Sequence, residues 1–185
     1  MSPKVAVAIL DDYQHVAFSS ADWSPIRDRL DITVFDETVH DEGELVKRLE
    51  KFEIVCAMRE RTKFPGSLLD KLPRLKLIAT TGMVNRGIDT AHAQAKGIAV
   101  SGTGAGRGSH STQEHIWALL LATVRYIPQD DANTKAGKPR WQHHIPLSLS
   151  GHTLGLIGVG RLGSGTAKVT SIYATKTSLA DEQVR

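Results

Sequence analysis

The apolar run Leu154-Gly155-Leu156-Ile157 leads into Gly158-Val159-Gly160-Arg161-Leu162-Gly163, and an acid, Asp181, follows. A G-x-G-x-x-G segment between a strand and a helix has the chemistry of a phosphate cradle. Gly158 permits a tight turn out of the strand. Gly160 has no side chain, so a pyrophosphate can approach the backbone. Gly163 lets the helix pack closely on the strand. The helix start, carrying Arg161 and Leu162, points unpaired N–H groups and a positive dipole end at the anion. That dipole contributes about 0.3–1 kcal/mol at exposed sites and up to ~2 kcal/mol when partly buried. Residues 164–180 have room for one helix and one return strand, which would bring Asp181 to an adenosine ribose. A carboxylate there accepts hydrogen bonds from both ribose hydroxyls and repels a 2′-phosphate, which favours NAD over NADP. The alternative for Asp181 is one more solvated acid in Asp181-Glu182. The glycines alone are a weak signal; the flanking strand, helix and spaced acid make it specific.

A second glycine-rich loop, Gly102-Thr103-Gly104-Ala105-Gly106-Arg107-Gly108, also follows a strand and precedes a helix. It lacks the Lys-Ser/Thr pair of a nucleoside-triphosphate loop. It reads as a crossover into that helix, with Ser111 or Thr112 as N-cap; the alternative is a helix start that touches a ligand anion. His143 and His144 are adjacent, and His110 and His115 are five apart. Neither pair shares a helix face, so no metal site is expected. Cys56, the only cysteine, sits in the apolar run Ile54–Ala57 and reads as a buried, inert thiol rather than a nucleophile.

The elements that must position these groups alternate. Apolar runs at Val5–Leu10, Asp31–Phe35, Ile54–Met58, Leu75–Thr80 and Ile98–Val100 read as strands. Helical patterns lie between several of them, at Gly43–Phe52, around Ser67–Leu72 before Pro73, and at Asp89–Lys96 before Gly97. Alternation of this kind predicts an α/β fold with a flavodoxin-like parallel sheet over residues 1–108. A long helix over Ser111–Gln129, apolar on nearly every side, predicts a buried connection. Residues 130–152 read as a helix end and a connection. From Thr153 the pattern is strand, helix to about Ile172, and a short strand near Thr177–Ala180. Residues 109–185 are therefore expected to hold the linking helix and the first part of a Rossmann nucleotide-binding domain.

The chain has 185 residues, 41% hydrophobic and 23% charged, the balance of an ordinary globular protein. Its net charge of +3 is dispersed and its aromatic content is 5%, so no basic, aromatic-rich nucleic-acid surface is expected. No secretory leader and no apolar stretch of about 18 residues is present, so a cytoplasmic protein without a membrane segment is expected.

Several separated segments resemble the D-isomer-specific 2-hydroxyacid dehydrogenase family. They are Ala57-Met58-Arg59-Glu60-Arg61-Thr62, Leu75 to Asn85, Gly87-Ile88-Asp89, Glu114 to Ala122 and Gly155 to Gly163. The resemblance implies two domains with a cleft between them, the nucleotide domain being inserted into the chain of the other. It implies hydride transfer between NAD(P)H and a small 2-oxo or 2-hydroxy acid. It implies that Thr81-Gly82-Met83-Val84 presents backbone N–H groups to the substrate carboxylate, with Arg59 nearby. Thr112 would line the nicotinamide side. For Arg59 the alternative is a surface salt bridge with Glu60 or another neighbour.

The family's catalytic arginine, acid and histidine have no matching position in this chain, so no catalytic residue is assigned. The expectation is a shortened form, weak or inactive alone; loss of a general acid costs about 10²–10⁴-fold. The alternatives are a non-catalytic interaction protein, paired as a homodimer or with a full-length relative, and an accessory oxidoreductase in a specialised pathway.

Overall fold

The computed structural model describes residues 3–104, 110–173 and 176–180. The chain divides into two compact units, Met1–Gly106 and Arg107–Arg185.

The first unit carries five strands: β1 (Val5–Ile9), β2 (Leu30–Val34), β3 (Ile54–Ala57), β4 (Leu77–Thr80) and β5 (Ala99–Gly102). All pairings are parallel and the order is β2-β1-β3-β4-β5. This is the flavodoxin-like order that the alternation predicts. The chain leaves β1 toward one edge and returns to the other side through β3, so the topological switch falls at the C-terminal ends of β1 and β3. Ligands of open α/β sheets bind in that crevice.

Helices α1 (Glu42–Leu49), α2 (Gly66–Asp70) and α3 (Thr90–Ala95) cover the sheet. Asp41 caps α1 by accepting the Glu44 N–H at 2.9 Å, and Asp89 caps α3 by accepting the His92 N–H at 3.0 Å. Gly97, at φ 74°, ends α3 where a side chain would be strained. Phe52, Val55, Phe64, Leu68, Leu69 and Ile78 form the buried centre of this unit. Each aliphatic or aromatic side chain so buried contributes roughly 1.5–3 kcal/mol.

The second unit holds α4 (Ser111–Val124), α5 (Ile127–Lys135), β6 (Thr153–Ile157), α6 (Arg161–Thr170) and β7 (Lys176–Ala180). β6 and β7 are parallel neighbours, with Leu156 opposite Leu179 and Ile157 opposite Ala180. With α6 as the crossover they form a βαβ unit.

The expected long helix over Ser111–Gln129 is corrected: it breaks at Tyr126, which is left-handed at φ 58°, and α5 begins at Ile127. Pro128 is the cause. It lacks an N–H, and in a continuous helix its ring would strike the Val124 carbonyl; in the first turn of a new helix neither problem arises. The Val124 carbonyl instead receives the Leu147 N–H at 2.9 Å. The residues expected to be a helix end and connection thus begin inside a second helix. The expectation that α4 is buried is also corrected. Of its residues Trp117 is buried, stacked on Tyr173 at 5.3 Å, whereas Leu119 is 57% exposed. Its N-cap is His110 rather than Ser111 or Thr112, and the His110 ring meets Gln113 Oε1 at 2.8 Å.

Candidate active-site elements

In the first unit the segment after β4 folds back over the end of β5. Gly82 has φ 90°, and a β-carbon there would overlap the Arg59 guanidinium. Gly102 is needed for a different reason: its β-carbon would stand 2.7 Å from the Gly82 carbonyl oxygen. Arg59, Thr81 and Gly82 are thus brought together at the C-terminal edge of the sheet. Arg59 donates its N–H to Thr81 Oγ1 at 3.1 Å, and the Thr81 hydroxyl faces Met58 Sδ at 3.2 Å. Among the described residues Arg59 makes no ion pair with Glu60, whose carboxylate accepts the Arg86 N–H at 3.3 Å.

Not every amide of Thr81-Gly82-Met83-Val84 is open to a ligand. The Thr81 N–H donates to the Ala57 carbonyl at 3.1 Å, and the Gly82 N–H donates to Thr103 Oγ1 at 2.9 Å. Met83 and Val84 are 74% and 67% exposed, and their N–H groups have no partner among the described residues. A carboxylate would meet those two amides first. Beside them opens a cavity of about 710 Å³, lined by Met83, Val84, Asn85, Ile88, Val100 and Gly102 among others.

Two residues here carried no signal of function in their spacing. Asn85 is buried and joins the β3 exit to the β4 exit, and Thr103 occupies the Gly82 amide. At the end of β1, Asp11 is buried at φ 62°; its carboxylate accepts the hydroxyls of Thr38 and, at 2.9 Å, Thr62. Asp12 accepts the N–H groups of Val16 and Ala17, which hold its carboxyl below the usual aspartate range.

In the second unit β6 exits into Gly158 at φ 84°. Gly160 is the N-cap of α6, and a β-carbon added to it meets nothing within 4 Å. A β-carbon at Gly163 would overlap the Gly158 carbonyl oxygen. Two of the glycines therefore answer a geometric demand of the chain, reversal at Gly158 and close packing at Gly163, and the space before Gly160 stays open. The first helical bond, Ser164 N–H to the Gly160 carbonyl at 2.9 Å, leaves the amides of Arg161, Leu162 and Gly163 without helical partners. They border a groove of about 540 Å³ lined by Ile116, Leu156, Gly158, Gly160, Leu162 and Thr166 among others. The open space before Gly160 and the row of unpaired amides fit a dinucleotide pyrophosphate.

Thr112 lies in the first turn of α4 and is exposed. Asp181 lies outside the described residues, as do Ala105 to Gly108 of the second glycine-rich loop. Cys56 is half-buried on β3, and burial pushes its thiol above the ordinary value, against thiolate chemistry. Among the described residues no three His, Cys, Asp or Glu side chains converge as a metal site, and no helix is long and apolar enough to cross a membrane.

A family model described as D-isomer specific 2-hydroxyacid dehydrogenase, catalytic domain, matches residues 7–181. The chain belongs to that family. It is 36% identical over 125 residues to the D-3-phosphoglycerate dehydrogenase of Archaeoglobus fulgidus, a match covering 68% of this chain and 23% of that protein. The solved structure of phosphoglycerate oxidoreductase from Vibrio cholerae O395 is similar at TM-score 0.87 and 33% identity, over 97% of this chain and 56% of that one. D-lactate dehydrogenase from Aquifex aeolicus, complexed with NAD and lactic acid, is similar at TM-score 0.66 and 27% identity, over 97% of this chain and 52% of that one. The chain spans about half the length of these two solved chains and about a quarter of the Archaeoglobus protein.

Proposed function

We propose that this chain binds NAD(H) through the turn Gly158–Gly163 and a small 2-oxo or 2-hydroxy acid through Arg59 and the segment Thr81–Val84. The observation that carries the reading is the β6–α6 turn, where Gly158 makes the reversal, Gly163 packs on the Gly158 carbonyl and the space before Gly160 stays open. Nicotinamide, when bound, supplies the hydride acceptor or donor for such an acid. The amides of Arg161, Leu162 and Gly163 hold the pyrophosphate, and Thr112 flanks the nicotinamide side. Asp181 holds the ribose hydroxyls and selects NAD over NADP. The amides of Met83 and Val84, with the Arg59 guanidinium, receive the substrate carboxylate.

No residue of this chain is assigned a proton-transfer role, so the proposal is one of binding both reactants rather than of turnover. The Aquifex structure, complexed with NAD and lactic acid, supports this pairing of cofactor and hydroxy acid. Ile157 and Leu119 in the second unit, 86% and 57% exposed, support its pairing with a second subunit, a copy of itself or a full-length relative. Fluorescence titration of the purified chain with NADH and NADPH tests the reading. NADH is expected to bind and NADPH to bind more weakly. Absence of binding by either nucleotide would overturn it.

A further inference from the structure

Arg59 stands at φ 51°, a left-handed conformation that costs a residue with a side chain. Both of its backbone polar groups are held there by side chains that follow β4. Its N–H donates to Thr81 Oγ1 at 3.1 Å, and its carbonyl accepts from Asn85 Nδ2 at 2.5 Å. Asn85 is 7% exposed and fully engaged. Nδ2 also donates to Thr80 Oγ1 at 2.8 Å, and Oδ1 accepts the Gly87 N–H at 2.8 Å. Because the Gly87 N–H can only donate and the Arg59 carbonyl can only accept, the amide's orientation follows from its partners.

The left-handed turn at Arg59 carries its side chain across the sheet edge onto Gly82, where a β-carbon would collide with the guanidinium. Among the described residues no other donor holds the Arg59 carbonyl, so without the Asn85 bond Arg59 would relax toward a commoner backbone region, swinging the guanidinium off the loop. We infer that Asn85 is a positioning residue that sets carboxylate affinity at Thr81–Val84 by holding Arg59 in this conformation. It touches no ligand and acts through Arg59. The inference rests on the reading of that loop as the carboxylate site.

Calorimetric titration of the full chain with oxamate, a stable 2-oxo acid analogue, separates the possibilities in a double-mutant cycle of Arg59→Ala and Asn85→Ala. Both substitutions leave the loop without added charge. Asn85→Ala is expected to weaken oxamate about tenfold or more in the wild-type background, about 1.4 kcal/mol at tenfold. In the Arg59→Ala background it is expected to change the affinity by less than about twofold. A merely structural Asn85 would weaken binding by the same factor in both backgrounds; that outcome overturns the inference and leaves the carboxylate reading standing. Failure of the wild-type chain to bind oxamate overturns both. Should Asn85→Ala fail to fold, Asn85→Ser, whose hydroxyl can still receive the Gly87 N–H, carries the same cycle.

Discussion

Gly163 lies so close to the carbonyl oxygen of Gly158 that a β-carbon on residue 163 would overlap it, whereas one on Gly165 meets the end of the Gln113 side chain. The first obstacle is backbone and cannot yield; the second is flexible. Gly163→Ala should therefore destabilise the second unit by about 1–3 kcal/mol, the usual cost of overpacking. Gly165→Ala should cost less than about 1 kcal/mol, because alanine's better helix propensity offsets the displacement of Gln113. Urea unfolding followed by tryptophan fluorescence and far-ultraviolet circular dichroism compares the two. Equal midpoints would show that the turn does not need glycine at 163.

Asp11 links strands that are distant in sequence. Its carboxylate accepts Thr38 and Thr62, and its carbonyl accepts Arg61 Nη1 at 2.7 Å. Asp11→Ala removes the acceptor for two hydroxyls and leaves alanine at φ 62°. A loss of about 2–4 kcal/mol in thermal or chemical unfolding is expected. Asp11→Asn keeps a side-chain acceptor and tolerates the left-handed backbone, so it should lose about half as much. Unchanged stability in both variants would contradict the role given to this network.

Among the described residues five carboxylates sit below their ordinary range, Asp22 through the hydroxyl and N–H of Ser24. Lys71 does this for Glu42, Lys76 for Glu53, and His92 with Lys96 for Asp70. The N–H groups of Val16 and Ala17 do it for Asp12. Each binds its proton less readily folded than unfolded, so its stabilisation is present above the ordinary values, 4.5 for glutamate and 3.8 for aspartate. That contribution is lost as the pH falls through the lower folded values. The unfolding midpoint should stay level from neutral pH to about pH 5 and fall below it. Added salt should reduce the fall, since the ion pairs of Glu42 and Asp70 are exposed. A midpoint independent of pH between 5 and 3 would contradict this assignment.

The glycine turn and the strand–helix alternation were legible because both are local. Gly158 and Gly163 state backbone requirements within six residues, and the runs at Val5 and Ile54 state burial within one strand. The Asn85–Arg59 bond spans 26 residues and the Thr62–Asp11 bond spans 51. No spacing rule connects such positions before the sheet order is known. The same holds for Thr103, whose hydroxyl takes the Gly82 amide that a carboxylate was expected to meet. The helix break at Tyr126 was hidden by a continuous apolar run, although Pro128 stood in plain sight as its cause.

The central claim is that the turn after β6 receives a dinucleotide phosphate. Gly160 gives the cleanest test: its φ of −65° suits any residue and its β-carbon position is open. Gly160→Ala should thus leave the fold within about 1 kcal/mol of wild type, the cost of a poorer helix cap. Calorimetric titration with NADH should show binding by the wild-type chain and at least a tenfold weaker affinity in Gly160→Ala. Equal affinity for NADH in the two proteins would contradict the claim.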